Sequence, residues 1–112
     1  LSFYYGETSL GNLKNVKITL YQKVEYQDHA LLRMGQRGIT FEEIETVLAN
    51  YELLKYYLNA KPCPAALLLG WPNSRPVHVV IAFDHEEEAS RIITVYEPDP
   101  LIWEAGFRSK RK

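Results

Sequence analysis

The stretch from Asp28 to Asn50, DHALLRMGQRGITFEEIETVLAN, leaves the chain few options, because it stops one helix and starts another within three residues. Asp28 is placed to cap a first helix running to about Gln36. Gly38 is placed to end it, since glycine accepts the left-handed conformation that a helix C-terminus requires. Thr40 followed by Glu43 has the form of a capping box, in which a hydroxyl and a carboxylate each take one free backbone amide. Phe41, Ile44, Val47, Leu48 and Tyr51 then recur at helical spacing, while Glu42, Glu45 and Glu52 stay outside.

After Asn50 the texture changes to that of strands. Tyr51–Leu58 is aromatic and branched with Lys55 as its one charge, and Ala65–Trp71 is nearly all apolar, as in a central strand covered on both faces. Pro72-Asn73-Ser74-Arg75 is turn chemistry, so Pro76–Asp84 follows as the second arm of a hairpin. It alternates, with Val77, Val79, Ile81 and Phe83 on one face and His78, Val80, Ala82 and Asp84 on the other. Arg91–Tyr96 is a last strand, ended by Pro98 and Pro100, and Leu101–Phe107 reads as a short amphipathic turn or helix. The pattern predicts an α+β fold: two N-terminal helices on one face of a three- to four-stranded antiparallel sheet. Residues 1–22 are expected as an N-terminal arm with a short strand at Val16–Leu20, and residues 23–112 as a single domain.

A chain of 112 residues holds one core. Its 46% hydrophobic and 24% charged residues are those of a soluble protein, and the longest apolar run, Pro64–Trp71, is far short of the roughly 20 residues of a membrane helix. No charged-then-apolar leader opens it, and no membrane partner is expected. Cys63 is alone, so no internal disulfide is possible and a reducing cytoplasm is the default location. A net charge of −1 argues against a strongly basic nucleic-acid binder, though charge is uneven. Arg108, Lys110, Arg111 and Lys112 make a cationic tail, which is either an RNA anchor or a solvated end.

Metal sites find little support. Cys63, His29, His78 and His85 lack the close pairs that structural zinc requires. There is no phosphate-binding glycine loop, so no cofactor is expected. What remains suits a polyanion. His29, Arg33 and Arg37 stand at steps of four, which on a helix places neighbours about 40° apart along one rim. His78, Thr94 and Tyr96 add a proton handler, a hydroxyl and a ring from two strands.

Metal-independent RNA cleavage needs a base for the 2′-hydroxyl, cations for the phosphorane and an acid for the leaving 5′-oxygen. His29, His78 and Tyr96 are the candidate catalytic residues, and Arg33, Arg37 and Thr94 the candidate substrate-binding ones. Each has a plainer reading. Arg33 and Arg37 could pair with Glu25, Glu42 or Glu43, and His78 could be a satisfied core histidine. If Val77 and its partners face the helices, His78 points to the other side of the sheet, away from the helix rim. If Ile93 and Val95 join that apolar run, His78, Thr94 and Tyr96 share the open face, and His78 and Tyr96 line one solvent-reachable groove.

The pattern His29-Ala30-x-x-Arg33-x-x-x-Arg37-Gly38-Ile39-Thr40, then Arg75-Pro76-x-His78-Val79-Val80, then Ile93-Thr94-Val95-Tyr96-Glu97-Pro98 resembles the family called domain of unknown function 4258. The similarity runs from about Tyr26 to Phe107. The resemblance implies kinship with the RelE-like and barnase–colicin-like ribonuclease toxins, and with it a RelE-like fold of two helices against a curved antiparallel sheet. It implies small zinc-finger antitoxin-like proteins as partners, with a helix-turn-helix antitoxin as the alternative. The expected function is a toxin-like, metal-independent endoribonuclease of a toxin–antitoxin pair acting on RNA. The alternative is a non-enzymatic protein-interaction module that keeps the toxin fold.

Overall fold

The computed structural model describes residue 18 and residues 20–112. Along the chain run β1 (Lys23–Tyr26), α1 (Asp28–Arg37), α2 (Phe41–Ala49), β2 (Glu52–Tyr57), β3 (Ala65–Gly70), β4 (Val77–Asp84) and β5 (Ala89–Tyr96), with a 3-10 turn at Pro72–Ser74. Strands β2 to β5 form an antiparallel meander, and β1 pairs in parallel with β5, giving the order β1-β5-β4-β3-β2. The fold is α+β, but its sheet has five strands rather than three or four, and a strand precedes the helices. Lys-Val-Glu-Tyr is too short to show a period, and its partner on β5 lies at the far end of the chain. The strand expected at 16–20 falls largely outside the described residues. Ile18 is buried, and its backbone N–H and carbonyl both bond the Tyr51 hydroxyl at 2.7 Å.

The end of α1 and the start of α2 fall where their end chemistry dictates. Gln27, not Asp28, is the N-cap of α1, and Asp28 sits in the first turn, where a carboxylate favours the positive end of the helix dipole. Gly38 ends the helix at φ 64, the left-handed region that costs glycine least. The Thr40 hydroxyl accepts from Glu43 N at 3.1 Å and the Glu43 carboxylate from Thr40 N at 3.0 Å, so the capping box of α2 forms. Glu43 also takes Arg75 at 3.1 Å and Asn73 at 3.1 Å, which ties the start of α2 to the turn after β3. Arg75 reaches on to the Gly38 carbonyl, so one guanidinium joins both helix ends.

The core lies between the helices and one sheet face. Ala30 and Met34 of α1, with Ile44 and Val47 of α2, pack on Leu53, Leu68, Val77, Val79, Ile81 and Phe83. At Gly70 the close approach is severe: a Cβ there would lie 2.6 Å from Val47 Cγ2 and 2.9 Å from Val47 Cα. β5 departs from simple alternation. Val80 opposes Thr94 and Ile81 opposes Ile92, so Ile93 is an extra residue in a bulge. Ile92 and Val95, rather than Ile93 and Val95, therefore face the helices.

The opposite face is half covered. After β5 the chain makes turns rather than a helix over Leu101–Phe107, and Trp103 pairs with Lys110 across an isolated bridge. Trp103 is 5% exposed, and Leu67 and Leu69 on this face are buried too. The double burial read from the apolar run of β3 is thus supplied by neighbouring strands and this C-terminal cover. No helix among the described residues is long and apolar enough to cross a membrane.

Candidate nucleic-acid interface

α1 carries its cationic row because only Ala30 and Met34 turn fully into the core, leaving the adjoining sector outside. His29 and Arg37 are exposed and Arg33 is half-buried. Arg33 Nε–H donates to His29 Nε2 at 3.4 Å, and Arg33 Nη1 to Gln36 Oε1 at 2.9 Å. The first contact is long, and in it the lone pair of His29 Nε2 faces the Arg33 guanidinium. Among the described residues neither Arg33 nor Arg37 has a carboxylate partner.

Two of the three acids that could have paired with them, Glu25 and Glu43, are engaged elsewhere. Glu25 holds Arg91 at 2.8 Å and Lys23 at 3.4 Å, while Glu43 holds Arg75. Arg108 is taken by Glu52 at 2.6 Å. Arg91 binds Asp84 as well, and these guanidinium contacts hold the Asp84 and Glu25 carboxyls below their usual range. The Glu43 carboxyl is also held low, first by the Thr40 amide and then by Asn73 and Arg75. Among the described residues, no carboxylate in α1, α2 or β1 thus neutralises the guanidiniums of the α1 rim.

The strand residues are brought together, but not in an open groove. His78 and Tyr96 are register partners on β4 and β5, and Thr94 stands two residues before Tyr96 on the same face. His78 Nδ1 and the Tyr96 hydroxyl lie 3.1 Å apart, and Nε2 lies 2.9 Å from the Phe107 carbonyl. A carbonyl can only accept, so Nε2 carries the proton and the Tyr96 O–H donates to Nδ1. Trp103 stands edge-on to the imidazole at 4.5 Å between centroids. His78 is 0% exposed, which corrects the expectation of a solvent-reachable groove lined by this ring. The physical reason is the cover: Trp103 and Phe107 need burial, and this end of the face supplies it. Burial pushes the His78 pKa down despite the carbonyl bond, and burial likewise raises that of Tyr96.

The two groups of candidates do not meet. α1 shares its core with Val77 and Val79, while His78 projects from the other face of β4. Sequence reasoning gave no role to Trp103 or to the Phe107 carbonyl. The amphipathic residues after Pro100 were the available signal, since apolar side chains beyond the last strand need a surface to cover.

A two-layer α+β protein with a histidine–arginine rim on one helix that has no carboxylate partner among the described residues is the class that fold and site define. Residues 26–97 match the family described as Domain of unknown function (DUF4258), and the chain belongs to that family. The matched span holds His29, Arg33, Arg37, His78, Thr94 and Tyr96 and stops before Trp103. No curated protein and no solved structure matches the chain.

Proposed function

We propose that the protein is a toxin-like endoribonuclease, kin to the RelE-like and barnase–colicin-like toxins, that takes RNA on the α1 rim. The observation that carries this reading is the lack of any acidic partner for Arg33 and Arg37 among the described residues, while Arg75, Arg91 and Arg108 are all paired. A guanidinium left unpaired beside a histidine is suited to phosphate, which it can grip with two parallel N–H groups.

In this reading His29 Nε2 takes the proton of the RNA 2′-hydroxyl, and the freed oxygen attacks the adjacent phosphorus. Arg33 and Arg37 balance the charge that grows on the phosphorane. The imidazolium returns its proton to the leaving 5′-oxygen, so the products are a 2′,3′-cyclic phosphate and a 5′-hydroxyl. No metal enters these steps. His78 and Tyr96 have their hydrogen bonds inside the protein and serve to hold the cover, with Thr94 beside them. Such a nuclease would work in the cytoplasm, held in check by a small zinc-finger or helix-turn-helix antitoxin.

The second reading, an interaction module without catalysis, draws on an apolar groove of about 400 Å³ between α1 and α2, lined by Leu31, Met34, Ile39 and Phe41. Leu31 and Phe41 are 42% and 49% exposed. One assay separates the two. The full chain is incubated with end-labelled single-stranded RNA in the presence of a chelator. Cleavage leaving cyclic phosphate ends, reduced about 10²-fold or more in His29→Ala, is the expected result. Intact RNA, or cleavage indifferent to His29→Ala, would remove the nuclease reading.

A further inference from the structure

The sheet face turned away from the helices is filled unevenly. Across β3, β4 and β5 the row Leu69–His78–Tyr96 lies under the C-terminal cover, whereas the row Ala65–Ala82–Arg91 carries two bare methyl groups. The chain leading into β3 passes over that row through Pro62 and Cys63, and a cavity of about 300 Å³ remains beneath it. Val80 and Ile93 complete its floor. Ile93 belongs there because of the β5 bulge, which adds one residue to this face. Gln27, immediately before α1, stands at the margin, fixed by its N–H bond to the Ile92 carbonyl at 3.0 Å.

The lining says what the cavity takes. Its lining holds two permanent cations: Glu25 and Asp84 both hold the Arg91 guanidinium, and Lys61 is exposed, so its charge is shared with solvent. A phosphate would find only the exposed Lys61 there, since the Arg91 guanidinium is already engaged. A floor of alanine methyls and a proline wall instead suit the faces of a flat, uncharged ring, and the Gln27 amide offers both a donor and an acceptor to its edge. Small-molecule pockets run from about 300 Å³ upward, so this one has room for one ring system rather than a dinucleotide. His29, where the cationic rim begins, lies two residues beyond Gln27.

We propose that this cavity is a binding subsite for a single neutral nucleobase of the RNA strand. The assignment rests on the RNA reading for the strand that carries the base; the preference for an uncharged heterocycle follows from the lining alone. With phosphate on the α1 rim and a base in the cavity, the strand wraps the junction between β1 and α1. The rim then supplies grip without sequence preference, and the cavity supplies the choice of base.

The test titrates the full chain with adenosine, guanosine, cytidine and uridine, which carry no phosphate, and follows backbone amide shifts by NMR. At least one nucleoside is expected to saturate below about 10 mM. The shifts should centre on Ala65, Ala82 and Ile93. Ala82→Leu, which fills the cavity from an incompletely buried position, should weaken that affinity by about tenfold or more. Pro62→Ala, which removes the wall without adding to the sheet, should weaken it in the same direction. Replacing Arg33 and Arg37 together by Gln should leave it unchanged. No saturable binding, shifts centred elsewhere, or full affinity in a folded Ala82→Leu protein would overturn the subsite. RNA that still binds through the rim when nucleosides do not would sink the subsite and spare the RNA reading. Nucleoside binding in the cavity without any RNA binding would sink the RNA reading and make the heterocycle a free ligand, contrary to the assignment.

Discussion

Both nitrogens of the His78 ring have partners, and their removal leaves two groups stranded. In His78→Ala the Tyr96 hydroxyl and the Phe107 carbonyl lose their bonds under the cover. Leaving a buried polar group unsatisfied costs about 1–3 kcal/mol, so the variant should lose at least about 2 kcal/mol in a denaturant titration. His29→Ala, at an exposed site, should stay within about 0.5 kcal/mol. Equal losses would contradict the roles given to the two rings. Acid adds a second expectation. Because burial lowers the folded pKa of His78, the unfolded chain takes up the proton first as pH falls. The stability from neutral His78 is complete above about pH 6.5 and declines as pH drops from there toward the lowered folded value. Glu25, Glu43 and Asp84, all held low, act in a more acidic window, below about pH 4.3. The melting temperature should therefore fall between pH 7 and pH 5, and less so in His78→Gln. An identical fall in both proteins would remove His78 as the cause.

Elements were legible in proportion to how local their signals are. The end of α1 at Gly38 and the capping box at Thr40 follow from residues within four positions of each other, and both form. Thr40→Ala should cost about 1 kcal/mol, the usual loss for a cap, read from the shift in denaturation midpoint. A larger loss is expected from Gly70→Ala, since the new methyl meets the backbone of Val47. Overpacking of this kind costs about 1–3 kcal/mol, and a neutral Gly70→Ala would show that α2 does not press on β3 as described. The strands β2 to β5 follow the alternation and turn chemistry of the sequence within one or two residues, with β5 beginning at Ala89 rather than Arg91. Two features escaped it for the same physical reason. β1 is defined by pairing with β5, and the bulge at Ile93 by the register against β4, so neither is written in its own neighbourhood.

At the scale of the molecule the sheet divides the candidate residues. The helices own one face with the His29–Arg33–Arg37 rim, and the C-terminal cover owns one end of the other with His78 and Tyr96. The chemistry-bearing residue types were visible in the sequence, and so was the risk that they point in opposite directions. Which group stays in water was not visible, because that is decided by Trp103 and Phe107 folding back on a strand far from them in sequence. Three of the six arginines, Arg75, Arg91 and Arg108, are spent on acidic partners, while Arg33 and Arg37 leave positive charge on a short rim. In the proposed function Arg33 and Arg37 hold RNA phosphates. This is tested most directly by the salt dependence of single-stranded RNA affinity in the wild type and in the Arg33→Gln/Arg37→Gln double variant. Each phosphate contact contributes a slope of about −0.7 in log affinity against log salt for a single strand, so the double variant should flatten the dependence by about 1.4. An unchanged slope, with RNA bound equally well by both proteins, would contradict the account.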